Sequence, residues 1–373
     1  MTDNKKFDLE EITNFFSTIN PNKSKSTYTT MKYNLMRISK MANIDFKDID
    51  ESVISPDFLE KPMSEYSVNT QIQSILGIEL WIKYKIAKLS VGSKQKIAKY
   101  NALKDQWDIR LKQLCSKKNE TINKNEMTDN EKTNWIDYEV LRTKWVSVIN
   151  DKLIQSCPEP PYTEWRDLLL VSLFILIPPT RIGNYETMRI RYKKTVRAKS
   201  LKQDRNYIMI NNTDNVNAGQ PKYSLCFNKY KTAKFVGQIS SVIEDETLIM
   251  VIDRYMKLRL KAQPINKLKY EDTDLLFLNT SNAVAQQPIK PLTQSYITET
   301  LKKTTNKYIG KKLSCDLFRK IFLTHFLNDN TKSIEDRKRM ATFIGQTYNP
   351  TTMETYKKIL PTPLPVPIVL SFD

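Results

Sequence analysis

Glycine, histidine and paired cysteine are scarce in this chain, and each scarcity closes a class of chemistry. Seven glycines are spread over 373 residues, and no two lie closer than Gly77 and Gly92. A dinucleotide fingerprint or a phosphate-cradling loop needs clustered glycines, so Rossmann and nucleotide-hydrolysing readings fall away. No G-x-S-x-G elbow occurs either, which removes the serine-hydrolase nucleophile. A single histidine, His325, stands with four scattered cysteines, Cys115, Cys157, Cys226 and Cys315. They offer neither the ligand spacing of a zinc site nor the density of a disulfide framework. No apolar run approaches the roughly 18 residues of a membrane span. The opening MTDNKKFDLEE has no apolar stretch of the signal-peptide kind, so a soluble, intracellular protein is expected. Any catalysis must run on arginine, lysine, tyrosine and carboxylates, with no cofactor.

What the chain has in excess is positive charge. Lysine and arginine number 59 against 41 acids, a formal net charge of +18. Polyanions are the natural partners of such a surface, nucleic acid first and a membrane surface second. The length suits two domains, at a soft prior of about 150 residues each.

Helical periodicity dominates residues 22–104. TYTTMKYNLMRISKM places Met31, Leu35 and Ile38 at i, i+4 and i+7 behind capping Ser and Thr. SVNTQIQSILGIELWIKYKIAKL is a second, longer helix, and residues 81–104 hold seven lysines and no acid. That run reads either as a solvated face or as a DNA-backbone contact through Lys83, Lys85, Lys94 and Lys96. Polar, weakly periodic residues follow from 105 to 150 and suggest a linker or exposed loop, with a domain boundary near 115–135. Beyond it, YTEWRDLLLVSLFILIPP reads as a buried helix ended by Pro178 and Pro179. NYIMIN (206–211), YSLCFN (223–228) and FVGQISSVI (235–243) read as strands; 245–262, 294–308 and 315–329 read as helices.

Four places in this second half form a candidate constellation. Arg181 follows the Pro-Pro break, Lys231 sits in FNKYKTAKF between two strands, Arg319 opens an apolar helix, and FIGQTYNPTTMETYKK carries Tyr348 and Tyr356. Metal-free phosphodiester transfer needs such a set. Two guanidiniums can fork onto non-bridging oxygens, a lysine can protonate the departing 5′ oxygen, and a tyrosine hydroxyl can attack phosphorus. Plainer readings exist for each member. Arg181 can simply end a helix, Lys222, Lys229 or Lys234 can replace Lys231, and either tyrosine can be a packing anchor.

In that order, Arg181, Lys231, Arg319 and Tyr356 resemble the tyrosine recombinases (phage-integrase type), in a form similar to the integrase-like proteins of giant viruses and virophages. RKIFLTHFLND is similar to the family's R-H-x-F-A-T-H-L-L segment, with His325 on its framework histidine. FNKYKTAKF resembles the hairpin that ends in a Lys-Thr pair. IGQTYNPTTMETY resembles the L-G-H-x-x-x-x-T-T-x-x-Y box, which selects Tyr356 over Tyr348. The likeness spans roughly residues 25–360, but its specific motifs fall between 178 and 358.

The chain departs from the pattern at both further histidine slots. Asp316 stands three residues before Arg319, where it can take a proton from the tyrosine or simply cap the helix, the cap being favoured. Gln346 stands after Gly345 and can still donate a hydrogen bond to a phosphate oxygen. The interval to the tyrosine is one residue longer than usual, and Asn184 replaces a common acidic residue.

The resemblance implies an α+β protein: mainly helical with a small antiparallel sheet, its two domains closing on DNA as a C-clamp. The expected divisions are an extension (1–21), a helical DNA-binding domain (22–115), a connecting region (116–150), a catalytic domain (151–360) and a tail (361–373). It also implies site-specific strand exchange on double-stranded DNA through a 3′-phosphotyrosine, in a dimer or tetramer, wherever the target DNA resides. Docking of the apolar tail on a neighbouring subunit is expected too. The basic run RIRYKKTVRAKSLK (189–202) reads as phosphate contact through Arg191, Lys193 and Lys194, joined by Lys229. Alternatives are a type IB topoisomerase, an inactive DNA-binding relative and, as an outsider, a metal-dependent nuclease.

Overall fold

The computed structural model describes residues 3–23, 25–89, 93–123, 125–154, 161–192, 201–211, 221–262, 274–279, 290–346 and 348–359. It divides into two compact units, Met1–Lys124 and Asn125–Asp373. Both are built mainly of helices.

The first unit comprises α1 (Asp3–Ile19), α2 (Lys25–Ala42), α3 (Pro56–Ser64), α4 (Val68–Lys88) and α5 (Lys94–Asn123). Ser67 caps α4 by accepting from the Thr70 amide, satisfying one of the helix's orphan donors. Ile75, Ile78 and Ile82 then fall on one face and are fully buried with Leu35 and Ile54. Trp107 of α5 fills the same core, and its indole N–H donates to the Ile54 carbonyl at 2.7 Å.

The second unit comprises α6 (Asp129–Asn134), α7 (Tyr138–Ile154), α8 (Tyr162–Ile175), β1 (Arg189–Tyr192), β2 (Tyr207–Ile210), β3 (Tyr223–Phe227), α9 (Ala233–Val236), β4 (Ile239–Ile243), α10 (Glu246–Ala262), the short β5 (Leu278–Asn279) and β6 (Lys290–Pro291), α11 (Gln294–Ile309), α12 (Cys315–Asn328), α13 (Ile334–Phe343) and α14 (Pro350–Glu354). Helix α8 is the centre of its core: Trp165, Leu168, Leu169, Leu170 and Val171 are wholly shielded. An all-round apolar helix is stable only when surrounded, and α7, α10 and α11 surround it.

Two expectations are corrected. The four-stranded sheet runs β1-β2-β3-β4 and is mixed: β1 pairs parallel with β2, while β2, β3 and β4 pair antiparallel. Strand β1 is the start of the basic run, where Arg189 and Arg191 alternate with buried Ile190 and both guanidiniums bind Asp274. The alternation, masked by charge, is what makes it a strand. The stretch 105–150 is likewise helical. Tyr100, Leu103, Trp107 and Leu114 lie buried along α5, and Leu141, Trp145 and Ile149 along α7. Spacings of three, four and seven suffice to seat a polar helix when the few apolar residues are large.

Candidate active site

Just past the end of helix α13 and its cap Ile344 comes Gly345, whose φ of +71° takes the chain into the left-handed region. A side chain there would strain the backbone, and its Cβ would stand 3.1 Å from the Tyr230 ring. The turn aims the Gly345 carbonyl at two donors from distant parts of the chain. Arg181 Nη1 donates to it at 3.0 Å and Thr232 Oγ1 at 2.5 Å. Arg181 is presented by the residues after Pro178-Pro179, at the head of a single 3-10 turn over Ile182–Asn184. Thr232 follows Lys231 in the connection from β3 to β4. One carbonyl thus gathers the first arginine and the neighbour of the lysine.

The next residue completes the set. Gln346, 7% exposed, donates from Nε2 to the Tyr356 hydroxyl at 2.6 Å. Arg319 comes from α12, whose N-cap is Ser314 accepting from the Leu317 amide. Its guanidinium lies over the Tyr356 ring, 5.5 Å from the centroid. Tyr356 is itself held by backbone: its N–H donates to the Met353 carbonyl at 3.1 Å, and its carbonyl accepts from Thr324 Oγ1 at 3.4 Å.

The electrostatics of this cluster are incomplete. Arg319 is 4% exposed, yet its Nε and Nη2 have no hydrogen-bond partner, and neither does Gln346 Oε1. Among the described residues no carboxylate pairs with Arg181 or Arg319. Burial first, and then the nearby Arg319 charge, lower the Arg181 pKa. A buried guanidinium with unused donors, beside a second guanidinium and a tyrosine hydroxyl and with no carboxylate partner among the described residues, can take a bound anion. The Cys315 thiol at its back is pushed up to about 11, mainly by burial, and donates to the Thr180 carbonyl at 3.5 Å. It is a packed thiol rather than a nucleophile.

The structure brings Arg181, Arg319, Gln346 and Tyr356 together. Lys231 is exposed on the turn next to Thr232 and has no ion-pair partner among the described residues. Tyr348 and Tyr356 both pack against the small cluster of Phe322, Phe326 and Met353, and it is the Tyr356 hydroxyl that meets Gln346. Asp316 is not the cap, which Ser314 takes. Its carboxylate pairs with Lys320 at 2.6 Å and is 65% exposed, because the second position of the helix points it outward while Ser314 takes the cap. The His325 side chain is 38% exposed, lies against the Tyr138 ring and meets Glu139 at 3.2 Å.

The basic candidates are dispersed. Lys83 lies 4.0 Å from Glu79, Lys85 covers the Trp81 ring at 5.0 Å, and Lys94 and Lys96 are exposed on the first turn of α5. Arg191 shares the single Asp274 carboxylate with Arg189. Lys229 is exposed, its backbone clasped by the Asn206 side chain at 2.8 and 2.9 Å. Lys193, Lys194 and the tail from 360 lie outside the described residues. Sequence reasoning missed Tyr230 and the Gly345 carbonyl; the lone glycine near the start of the tyrosine box was the available signal. Among the described residues no cluster of three potential metal ligands occurs, and no helix is long and apolar enough to cross a membrane.

No protein-family model and no curated protein matches the chain. Among solved structures it is similar to the crystal structure of XerA recombinase, at 14% identity and a TM-score of 0.32, over 94% of this chain and 93% of that one. A likeness of that size leaves function to be judged from the site itself.

Proposed function

We propose that the protein cuts and rejoins duplex DNA as a tyrosine recombinase, through a 3′-phosphotyrosine on Tyr356. The single observation that carries this reading is the buried Arg319 guanidinium, with two unpartnered nitrogens, lying over a tyrosine whose hydroxyl is already hydrogen-bonded. A phosphodiester supplies the missing anion. Arg319 and Arg181 stabilise the charge on its non-bridging oxygens as the attack proceeds. The Tyr356 oxygen bonds to phosphorus, the bond to the 5′ oxygen breaks, and the phenolic proton leaves to water. Lys231, exposed one residue from Thr232, protonates the departing oxygen. Gln346 orients the phenol in the place a histidine takes in the resembling family. The ester energy stays in the protein–DNA link, so attack by a 5′ hydroxyl reverses the step without ATP.

In this reading the first unit contributes backbone contacts through Lys94 and Lys96, with both units engaging one duplex as a C-clamp and a dimer or tetramer assembling on DNA. The runner-up is a DNA-binding relative with idle chemistry. It draws on one observation: the partner of the Tyr356 hydroxyl, Gln346 Nε2, is a donor and not a base. The deciding experiment incubates the protein with a complex pool of duplex DNA in EDTA and stops it with SDS, beside a Tyr356→Phe control. DNA covalently attached to the wild type but not to the control is expected, and sequencing the trapped DNA gives the target. Capture that survives in the control moves the nucleophile elsewhere. No capture with salt-sensitive binding intact leaves the runner-up standing.

A further inference from the structure

Glu131 is a carboxylate only 5% exposed, at the head of the second unit and far in sequence from the tyrosine. Burying an ionised carboxylate is costly unless its oxygens are fully engaged. Here they are. One oxygen accepts from Lys320 Nζ at 2.7 Å, and the other accepts from the Thr128 amide at 2.8 Å, with Lys358 Nζ 3.6 Å away.

The two lysines are what give this arrangement meaning. Lys320 follows Arg319 on α12, and Lys358 lies two residues beyond Tyr356. Further bonds fasten the same short segment. The Lys358 ammonium also donates to the Glu126 carbonyl at 2.9 Å, and its amide donates to Thr324 Oγ1 at 3.0 Å. The Ile359 amide donates to the Asn125 carbonyl at 3.1 Å. That same Thr324 hydroxyl donates to the Tyr356 carbonyl. Helix α14, which leads into Tyr356, spans only Pro350–Glu354, too short to hold a hydroxyl in place unaided.

We infer that Glu131 is a positioning residue: with Lys358 it latches the segment after Tyr356 onto residues 125–131, so that the tyrosine of the same chain stays against Gln346 and Arg319. The inference rests on the reading of Tyr356 as the nucleophile, but the latch itself is a property of the fold. A rigid support one shell behind the reacting groups is what a site needs when a small misplacement costs rate.

Hydrogen exchange read by mass spectrometry tests the latch without any DNA. In Glu131→Gln, which keeps the cap of α6 but loses the charge, the amides of Lys358 and Ile359 should exchange about tenfold faster or more, as befits a broken buried ion pair. Those of α12 should be unchanged. Lys358→Met should do the same, and Lys358→Arg should restore protection. Covalent DNA capture, assayed in parallel, should slow by about the same factor, with DNA affinity unchanged, if the latch sets the fraction of correctly placed tyrosine. Unchanged exchange at 358 and 359 overturns the latch. Faster exchange with undiminished capture overturns its positioning role. Wild-type protein that captures no DNA, while its variants show the exchange effect, overturns the nucleophile assignment and leaves the latch as a structural tie only.

Discussion

Arg319→Met should make the second unit more stable while abolishing the anion binding proposed for it. The wild-type guanidinium sits 4% exposed with two unpartnered nitrogens and a second arginine nearby. Each buried donor left unsatisfied costs about 1 kcal/mol or more. Methionine keeps most of the aliphatic stem and removes both orphans together with the repulsion from Arg181. Against this, the cation–π contact with the Tyr356 ring, 5.5 Å from Cζ to centroid, is lost, at about 0.5–1 kcal/mol. The balance is a stabilisation of about 1–2 kcal/mol, or roughly 2–8 °C in the melting temperature of a domain of about 150–250 residues. Differential scanning calorimetry in a buffer free of multivalent anions reads it directly. Titrating sulfate then supplies the second half. An anion that binds only the folded site stabilises by about 2.7 kcal/mol at a hundred times its Kd, so sulfate should raise the wild-type transition and leave the variant's unmoved. A variant destabilised by more than about 1 kcal/mol would show that the guanidinium is a structural member. Equal response to sulfate would show that the anion binds elsewhere. Either result refutes the argument from unsatisfied donors.

Two further outcomes test the surroundings of the site. Gly345→Ala should destabilise the protein by about 1–2 kcal/mol in urea unfolding, because φ is +71° and the new Cβ meets Tyr230. Covalent capture should fall with it, since the Gly345 carbonyl holds both Arg181 and Thr232; a fully active, equally stable variant would deny the carbonyl its organising role. The latch should also respond to acid. Burial pushes the Glu131 carboxyl up, but the hydrogen bonds from Lys320 and the Thr128 amide, with the charges of Lys320 and Lys358, hold it below its ordinary value overall. Its stabilisation is therefore present above the usual glutamate range, near about 4.3. It is lost as pH falls through the lowered folded value. Between about pH 5 and pH 3 the wild type should lose more stability than Glu131→Gln. Parallel losses would remove Glu131 from the acid response.

Much of this molecule is legible in its sequence. Periodicity and capping residues mark α4, α8, α10, α11 and α12, because those helices bury large apolar residues at fixed spacing. The excess of lysine and arginine raises the expectation of a polyanion, and the order Arg181, Lys231, Arg319, Tyr356 that of phosphodiester chemistry; both rest on charge and residue type, and covalent capture is what tests them. What the sequence hides is pairing. Arg191 and Arg319 look alike as arginines in a basic chain, yet one pairs with Asp274 and the other has no carboxylate partner among the described residues. Asp316 and Glu131 are both acids, yet one faces solvent beside Lys320 and the other is buried between two lysines. β1 hides beneath its own charge, and the polar helices α5 and α7 beneath weak periodicity. Composition and local pattern fix which groups a chain carries. Only tertiary packing decides which charges meet, because partners such as Arg181 and Gly345, or Glu131 and Lys358, lie more than a hundred residues apart and are brought together by the burial of other side chains.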